Sequence, residues 1–205
     1  MLTFYYARNT CALATHIALL DAGAEISAVR VDLASNEQNS PAYLAVNAKG
    51  RVPALVTEQG VLTETPALLA FIAQNFPKAG LAPLNNPFAF AQVQEFNLYL
   101  CATFHVAHAH LWRPQRWAND QTTMEGLKHA APDVIASCWS FIEETAFHGP
   151  WAMGGNYTIC DPYLYTVATW MEFDNIDPAK YPRVAEHRRR MSNLPNVRKA
   201  IEVEG

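Results

Sequence analysis

Cys11 is the first nucleophile in the chain, and its neighbours suggest how it could be used. Leu2 to Tyr6 is an apolar, aromatic run that predicts a buried strand. Ala7 to Thr10 interrupts it. From Cys11 onward Leu13, Ile17, Leu19 and Leu20 fall at roughly helical spacing, and Gly23 ends the run. Cys11 therefore stands where a strand turns into a helix. The first N–H groups of a helix lack internal partners and carry partial positive charge. A thiolate placed there has a lowered pKa and becomes a better nucleophile. Thr10 could instead serve as the cap and donate its hydroxyl to a bound sulfur. The inert alternative is that Cys11 packs as a small apolar residue.

The histidines are the other candidates. His105, His108 and His110 fall on one predicted long helix. His105 and His108 are three apart, a spacing a metal could use, but no acidic ligand accompanies them and no metal site is expected. His16 reads as a structural residue of the first helix. His187 to Arg190 read as a solvated helix face, and Cys101, Cys138 and Cys160 as core residues.

Composition narrows the classes. A chain of 205 residues, half of them apolar, can bury one large core or two small ones. A net charge of −4 gives no nucleic-acid footprint. Four scattered cysteines without paired spacing fit a reducing, cytoplasmic setting rather than a disulfide scaffold. No apolar run is long enough to span a bilayer, and no signal peptide is recognisable.

The elements that must position these groups follow in order. Ile26 to Leu33 reads as a second strand and Ser35 to Ser40 as a loop. Ser40-Pro41 fits a cap with Pro in the first turn of a short helix over Ala42 to Val46. Val52 to Val56 is a strand with Pro53 near its start. Val61-Leu62 is a short strand, and Thr63 to Thr65 leads into Pro66 and a helix. Strands alternating with helices predict a mixed sheet with helices on its faces.

Four segments together resemble the glutathione transferase family, and the bacterial beta class within it. They are YYARNTCALATHIAL at 5–19, SPAYLAVNAKGRVPAL at 40–55, LTETPALLAFIA at 62–73 and GGNYTICDPYLYTV at 154–167. The resemblance implies an α/β thioredoxin-like N-terminal domain over residues 1–77, a linker over 78–86, and an all-α helical-bundle domain over 87–205. It implies glutathione as co-substrate, a homodimer packed through the long helix, and detoxification chemistry. Cys11 and His105 then face the glutathione sulfur, where an imidazole could hydrogen-bond or deprotonate a thiol. The resemblance makes the Val52-Pro53 bond cis, with the Val52 backbone pairing to the tripeptide in strand fashion. Glu64 meets the γ-glutamyl ammonium, and Thr65, at a helix start, meets the carboxylate beside it. The loop ASNEQNS lacks the basic residues often found there in the beta class. Gln38, Asn39 or Lys49 would have to hold the glycine carboxylate. Tyr6, Phe104, His108, Leu111 and Trp112 are expected to form the acceptor pocket.

The second half reads as helical, with one helix from Phe88 to Trp112 and another from Gln121 to Phe147, kinked at Pro132. Arg183 to Met191 and Asn196 to Val203 predict two terminal helices. Thr158 to Asp161 is a capping box with Asp in place of Glu, Thr158 accepting from the Asp161 N–H and opening a buried helix over Pro162 to Met171, and it is assigned to folding. The functional expectation is transfer of glutathione thiolate to small apolar electrophiles, with thiol–disulfide exchange through Cys11 as a further possibility. The alternatives are a non-catalytic glutathione or ligand-binding module, or a glutathione-dependent isomerase or dehalogenase.

Overall fold

A computed structural model describes residues 1–204. It begins with β1 (Leu2–Tyr6), α1 (Ala12–Asp21), β2 (Ile26–Arg30), α2 (Pro41–Leu44), β3 (Ala54–Thr57), β4 (Gly60–Thr63) and α3 (Thr65–Asn75). The four strands form one sheet in the order β2-β1-β3-β4. β1 runs parallel to β2, with Leu2 opposite Ile26, which requires the α1 crossover. β3 runs antiparallel to both β1 and β4, with Leu55 opposite Phe4 and Leu62. β2 stops at Arg30, short of the expected Leu33, because the chain turns at Asp32, whose side chain accepts from the Ala34 N–H.

Phe4, Leu55, Leu68, Leu69 and Ile72 are fully buried between the sheet and the helices packed on it. α1 is apolar nearly all round, as a helix covered on both sides must be. Its Ala14, Ala18 and Leu19 join that core. Ile17 on its other side packs into a second cluster with Tyr165, Met191, Val197 and Ala200.

The second half is all helical: α4 (Pro87–Tyr99), α5 (His105–Trp112), α6 (Gln121–Phe141), α7 (Cys160–Ala168), α8 (Pro182–Ser192) and α9 (Pro195–Glu204). The expected helix to Trp112 is continuous but contains a π turn at Leu100–Phe104. Such turns interrupt the α ladder and often stand beside functional groups. α6 passes through Pro132 and likewise ends in a π turn, Ile142–Ala146. Among the described residues, no helix is long and apolar enough to cross a membrane. A thioredoxin-like sheet followed by a helical half is the architecture expected from the sequence.

The capping segment works differently in detail from the expectation. Asp161 Oδ2 does accept from the Thr158 N–H at 2.7 Å. The Thr158 hydroxyl, however, takes the Cys160 N–H, and α7 starts at Cys160 rather than Pro162. Asp161 Oδ1 accepts from the Ala152 N–H at 2.7 Å and lies 2.9 Å from His187 Nε2. His187 is therefore not on a solvated face: it is fully buried, whereas Arg188 to Arg190 reach outward.

α9 closes the molecule against the first element pair. Glu204 Oε1 lies 3.1 Å from His16 Nδ1, and the Val203 carbonyl accepts from the Tyr6 hydroxyl at 3.1 Å. Asp21, at the end of α1, accepts from Tyr157 at 2.5 Å and from Asn196 at 2.9 Å. His16 thus joins α1 to the C-terminal helix, the structural part assigned to it.

Candidate active site

The turn between β1 and α1 is built by short polar side chains. Asn9 adopts φ 56°, a left-handed conformation that Asn tolerates. Thr10 donates its hydroxyl hydrogen to the Ala7 carbonyl at 2.7 Å and accepts from the Ala12 N–H at 3.3 Å. That hydrogen is therefore committed to the turn. Cys11 occupies the N-cap position of α1, with its Sγ 3.8 Å from the Val52 carbonyl. Burial pushes the thiol up to about 11, against a smaller downward pull from the Thr65 hydroxyl. The lowered pKa expected from the helix start is thus overturned. Desolvation outweighs the dipole because no cation pairs with the sulfur.

The Val52-Pro53 peptide is cis. Beyond the β3–β4 hairpin, Glu64 has φ 73°, a region that costs a side-chain-bearing residue about 1–3 kcal/mol. Strain of this kind persists where surrounding structure holds it, often at binding sites. The Glu64 carboxylate is gripped by the Lys49 ammonium, which also donates to the Thr63 hydroxyl at 2.6 Å. Thr65 is buried and opens α3 together with Pro66, so the first N–H groups of that helix point toward its start.

These groups line one cavity of about 520 Å³ between the sheet and the helical half. Thr10, Cys11, Gln38, Lys49, Val52, Pro53, Glu64 and Thr65 form one side; His105, His108 and Trp112 form the other. Burial lowers the His105 imidazole to about 4, helped by repulsion from His108, Arg116 and Arg51. It is neutral at pH 7, with one ring nitrogen a hydrogen-bond donor and the other an acceptor.

Three expected pocket residues lie elsewhere. Tyr6 shares the inward face of β1 with Phe4, stacks on it at 5.9 Å and bonds to α9. Phe104 is fully buried against Trp139, with ring centroids 4.7 Å apart. Leu111 packs on the same core. The helical period explains this. His105, His108 and Trp112 share one face of α5, while Phe104, Ala107 and Leu111 share the inner one. Asn39 also falls outside the cavity, its amide bonded to Asn36 at 2.6 Å.

Other lining residues were not anticipated. Cys101 is half-buried at the cavity rather than in the core. Its position four residues before His105 places both on one helical face, a signal present in the sequence. Arg51, Arg113 and Arg116 line the cavity and form no salt bridge among the described residues. Burial and the neighbouring Arg51 and Arg113 lower Arg116 below the usual guanidinium value. Trp117, Trp170 and Phe173 add aromatic walls.

The comparisons with known proteins agree with this geometry. Residues 1–74 match the family model described as glutathione S-transferase, N-terminal domain. The chain is 30% identical over 204 residues to glutathione S-transferase GstA of Escherichia coli O157:H7, covering 98% of both proteins. It is 25% identical over 200 residues to maleylacetoacetate isomerase of Pseudomonas aeruginosa, covering 95% of this chain and 90% of that one. Among solved structures, a glutathione transferase homologue from Sulfitobacter with bound glutathione is 41% identical with a TM-score of 0.95, covering 99% of this chain and 98% of that one. A bacterial beta-class glutathione S-transferase from Sphingomonas chungbukensis is 30% identical with a TM-score of 0.86, covering 99% and 98%. A 30% identical relative matched along nearly its whole length, a thioredoxin-like sheet and the helical half together show that this chain belongs to the glutathione S-transferase family.

Proposed function

We propose that this protein binds glutathione in the cavity and transfers its thiolate to flat apolar electrophiles, in the manner of a beta-class transferase. The observation that carries the reading is one cavity holding three features. These are a backbone edge at Val52-Pro53, a carboxylate beside a helix start at Glu64-Thr65, and a thiol with a neutral imidazole at Cys11 and His105. Glutathione offers the matching groups. Its cysteinyl backbone pairs with Val52. Its γ-glutamyl ammonium meets Glu64, and the carboxylate of the same unit meets Thr65 and the start of α3. Arg51, which forms no salt bridge among the described residues and is next to Val52, is the cation for the glycine carboxylate, with Gln38 on the same cavity wall. Lys49 holds Glu64 in place.

The chemistry follows from the protonation states. Cys11, as a neutral thiol, donates S–H to the glutathione sulfur and stabilises its thiolate. His105, neutral, donates its ring N–H to the glutathione sulfur, and the thiol proton leaves to solvent, because an imidazole held at about 4 is too weak a base to keep it. Thr10 shapes the turn instead of touching the sulfur. Because a thiol with a pKa of about 11 is almost wholly protonated at pH 7, conjugation is favoured over mixed-disulfide exchange. The acceptor lies against Trp112, Trp117, Trp170 and Phe173. Four unpaired cysteines suit a reducing, cytoplasmic setting. Exposed Phe88 and Leu98 on α4, with Val134 and Phe141 on α6, supply the apolar surface through which two copies pair.

Chromatography on immobilised glutathione, followed by an electrophile panel, tests the reading. Retention with elution by free glutathione, and turnover of at least one electrophile, is expected. Passage straight through the column would refute binding, and retention without any turnover would leave a binding module.

A further inference from the structure

The helical wall of the cavity carries an assembly that glutathione binding leaves unused. His108 Nδ1 lies 2.8 Å from Asp174 Oδ2 and 2.9 Å from Oδ1. Trp112 Nε1 donates to the same Oδ1 at 2.8 Å. The Asp174 side chain is fully buried, and the imidazole is 17% exposed. A carboxylate against Nδ1 calls for a proton on that nitrogen. Nε2 has no hydrogen-bond partner among the described residues and is left to meet what the cavity holds. The ring stacks on Trp170, centroids 4.4 Å apart and planes 24° apart. The titratable and charged groups lining the same cavity are His105 on the same helix, Arg113 and Arg116 just beyond it, and Cys11, Lys49, Arg51 and Glu64.

We propose that His108, oriented by Asp174, is the proton donor when the acceptor is a conjugated carbonyl compound. This rests on the glutathione reading above and adds a proton donor to it. In the reaction the glutathione sulfur bonds to the β carbon of an enone. The C=C π pair moves toward the carbonyl and leaves an enolate. His108, as imidazolium, gives its Nε2 proton to the enolate. The neutral imidazole then takes a proton from solvent, equal in number to the one the glutathione thiol released. No oxidant or reductant is consumed. Displacement of chloride from an aryl chloride needs no such proton, because chloride leaves as a stable anion. Asp174 is a positioning residue: its buried carboxylate fixes the ring and leaves Nε2 toward the cavity. The aromatic walls suit a planar acceptor.

The test compares benzylideneacetone with chlorodinitrobenzene at saturating glutathione, using wild type, His108→Gln and Asp174→Asn. His108→Gln should lower kcat/KM for the enone by about 100-fold more than for the aryl chloride, the size of a general-acid contribution. Asp174→Asn should lower kcat for the enone with little change in KM. A merely structural role would reduce both substrates alike. Equal losses on both substrates would overturn the proposal, as would an unchanged enone rate in His108→Gln or a wild type that turns over the aryl chloride but not the enone. Failure of the wild type to bind immobilised glutathione is a separate result, which refutes the reading beneath it.

Discussion

Burying a thiol favours its protonated form, and Cys11 shows the consequence. The helix start gives a favourable field, but removal from water costs more. Alkylation of Cys11 by iodoacetamide, followed by peptide mapping, should be slow at neutral pH and climb steadily toward pH 11. Rapid labelling that levels off below pH 8 would contradict this. Oxidised glutathione should likewise add slowly to the wild type at neutral pH, as read by intact mass. His105 behaves as the complement. Its imidazole stays neutral down to about pH 4, so the acid limb of kcat/KM should not lie near 6.5. Replacing it with Ala should lower kcat/KM by about 10-fold or more, the worth of one hydrogen bond to a charged sulfur. The residue types at these positions were readable in the sequence. Their protonation was not, because it depends on burial supplied by distant segments.

At the scale of elements, the Pro and Gly punctuation and the apolar periods were enough to place the four strands and most helices. The limits of that reading show at α5 and α8. Phe104 and Leu111 have the same apolar character as the cavity's aromatic residues, so composition could not say which face each took. The π turn at Leu100–Phe104 fixes the answer locally. His187 sits among three arginines, and only Asp161, 26 residues away, explains its burial. Asp174, Trp170 and the cavity-lining Arg113 and Arg116 likewise take their places from segments brought together by folding. The start of α7 provides a stability test. Asp161→Ala leaves the Thr158 N–H, the Ala152 N–H and His187 without an acceptor. Each unsatisfied buried donor costs about 1–3 kcal/mol, so a loss of at least about 3 kcal/mol is expected in urea unfolding. Thr158→Ala, which removes two long hydrogen bonds, should cost about 1 kcal/mol. Equal effects of the two substitutions would contradict this account of the cap.

Across the whole molecule, α9 ties the helical half to the sheet through Glu204, Val203 and Asn196. Burial raises the Glu204 carboxyl above its ordinary 4.5, with the His16 contact opposing that shift. The sign follows directly. A carboxyl raised in the folded state contributes stability that is full below 4.5 and is lost as pH rises through the folded value. Glu204→Gln never acquires the charge. The urea midpoint of the variant minus that of wild type should therefore be larger at pH 8 than at pH 4; a smaller difference at pH 8 would contradict the reading. The tie also keeps the two walls of the cavity in register, since Cys11 lies on one and His105 on the other. A crystal structure of the glutathione complex measures that arrangement most directly. It should show the γ-glutamyl end at Glu64-Thr65, the cysteinyl backbone on Val52, and the sulfur within hydrogen-bond reach of Cys11 and beside His105. Glutathione lodged elsewhere, or bound with its sulfur turned away from both residues, would contradict the account.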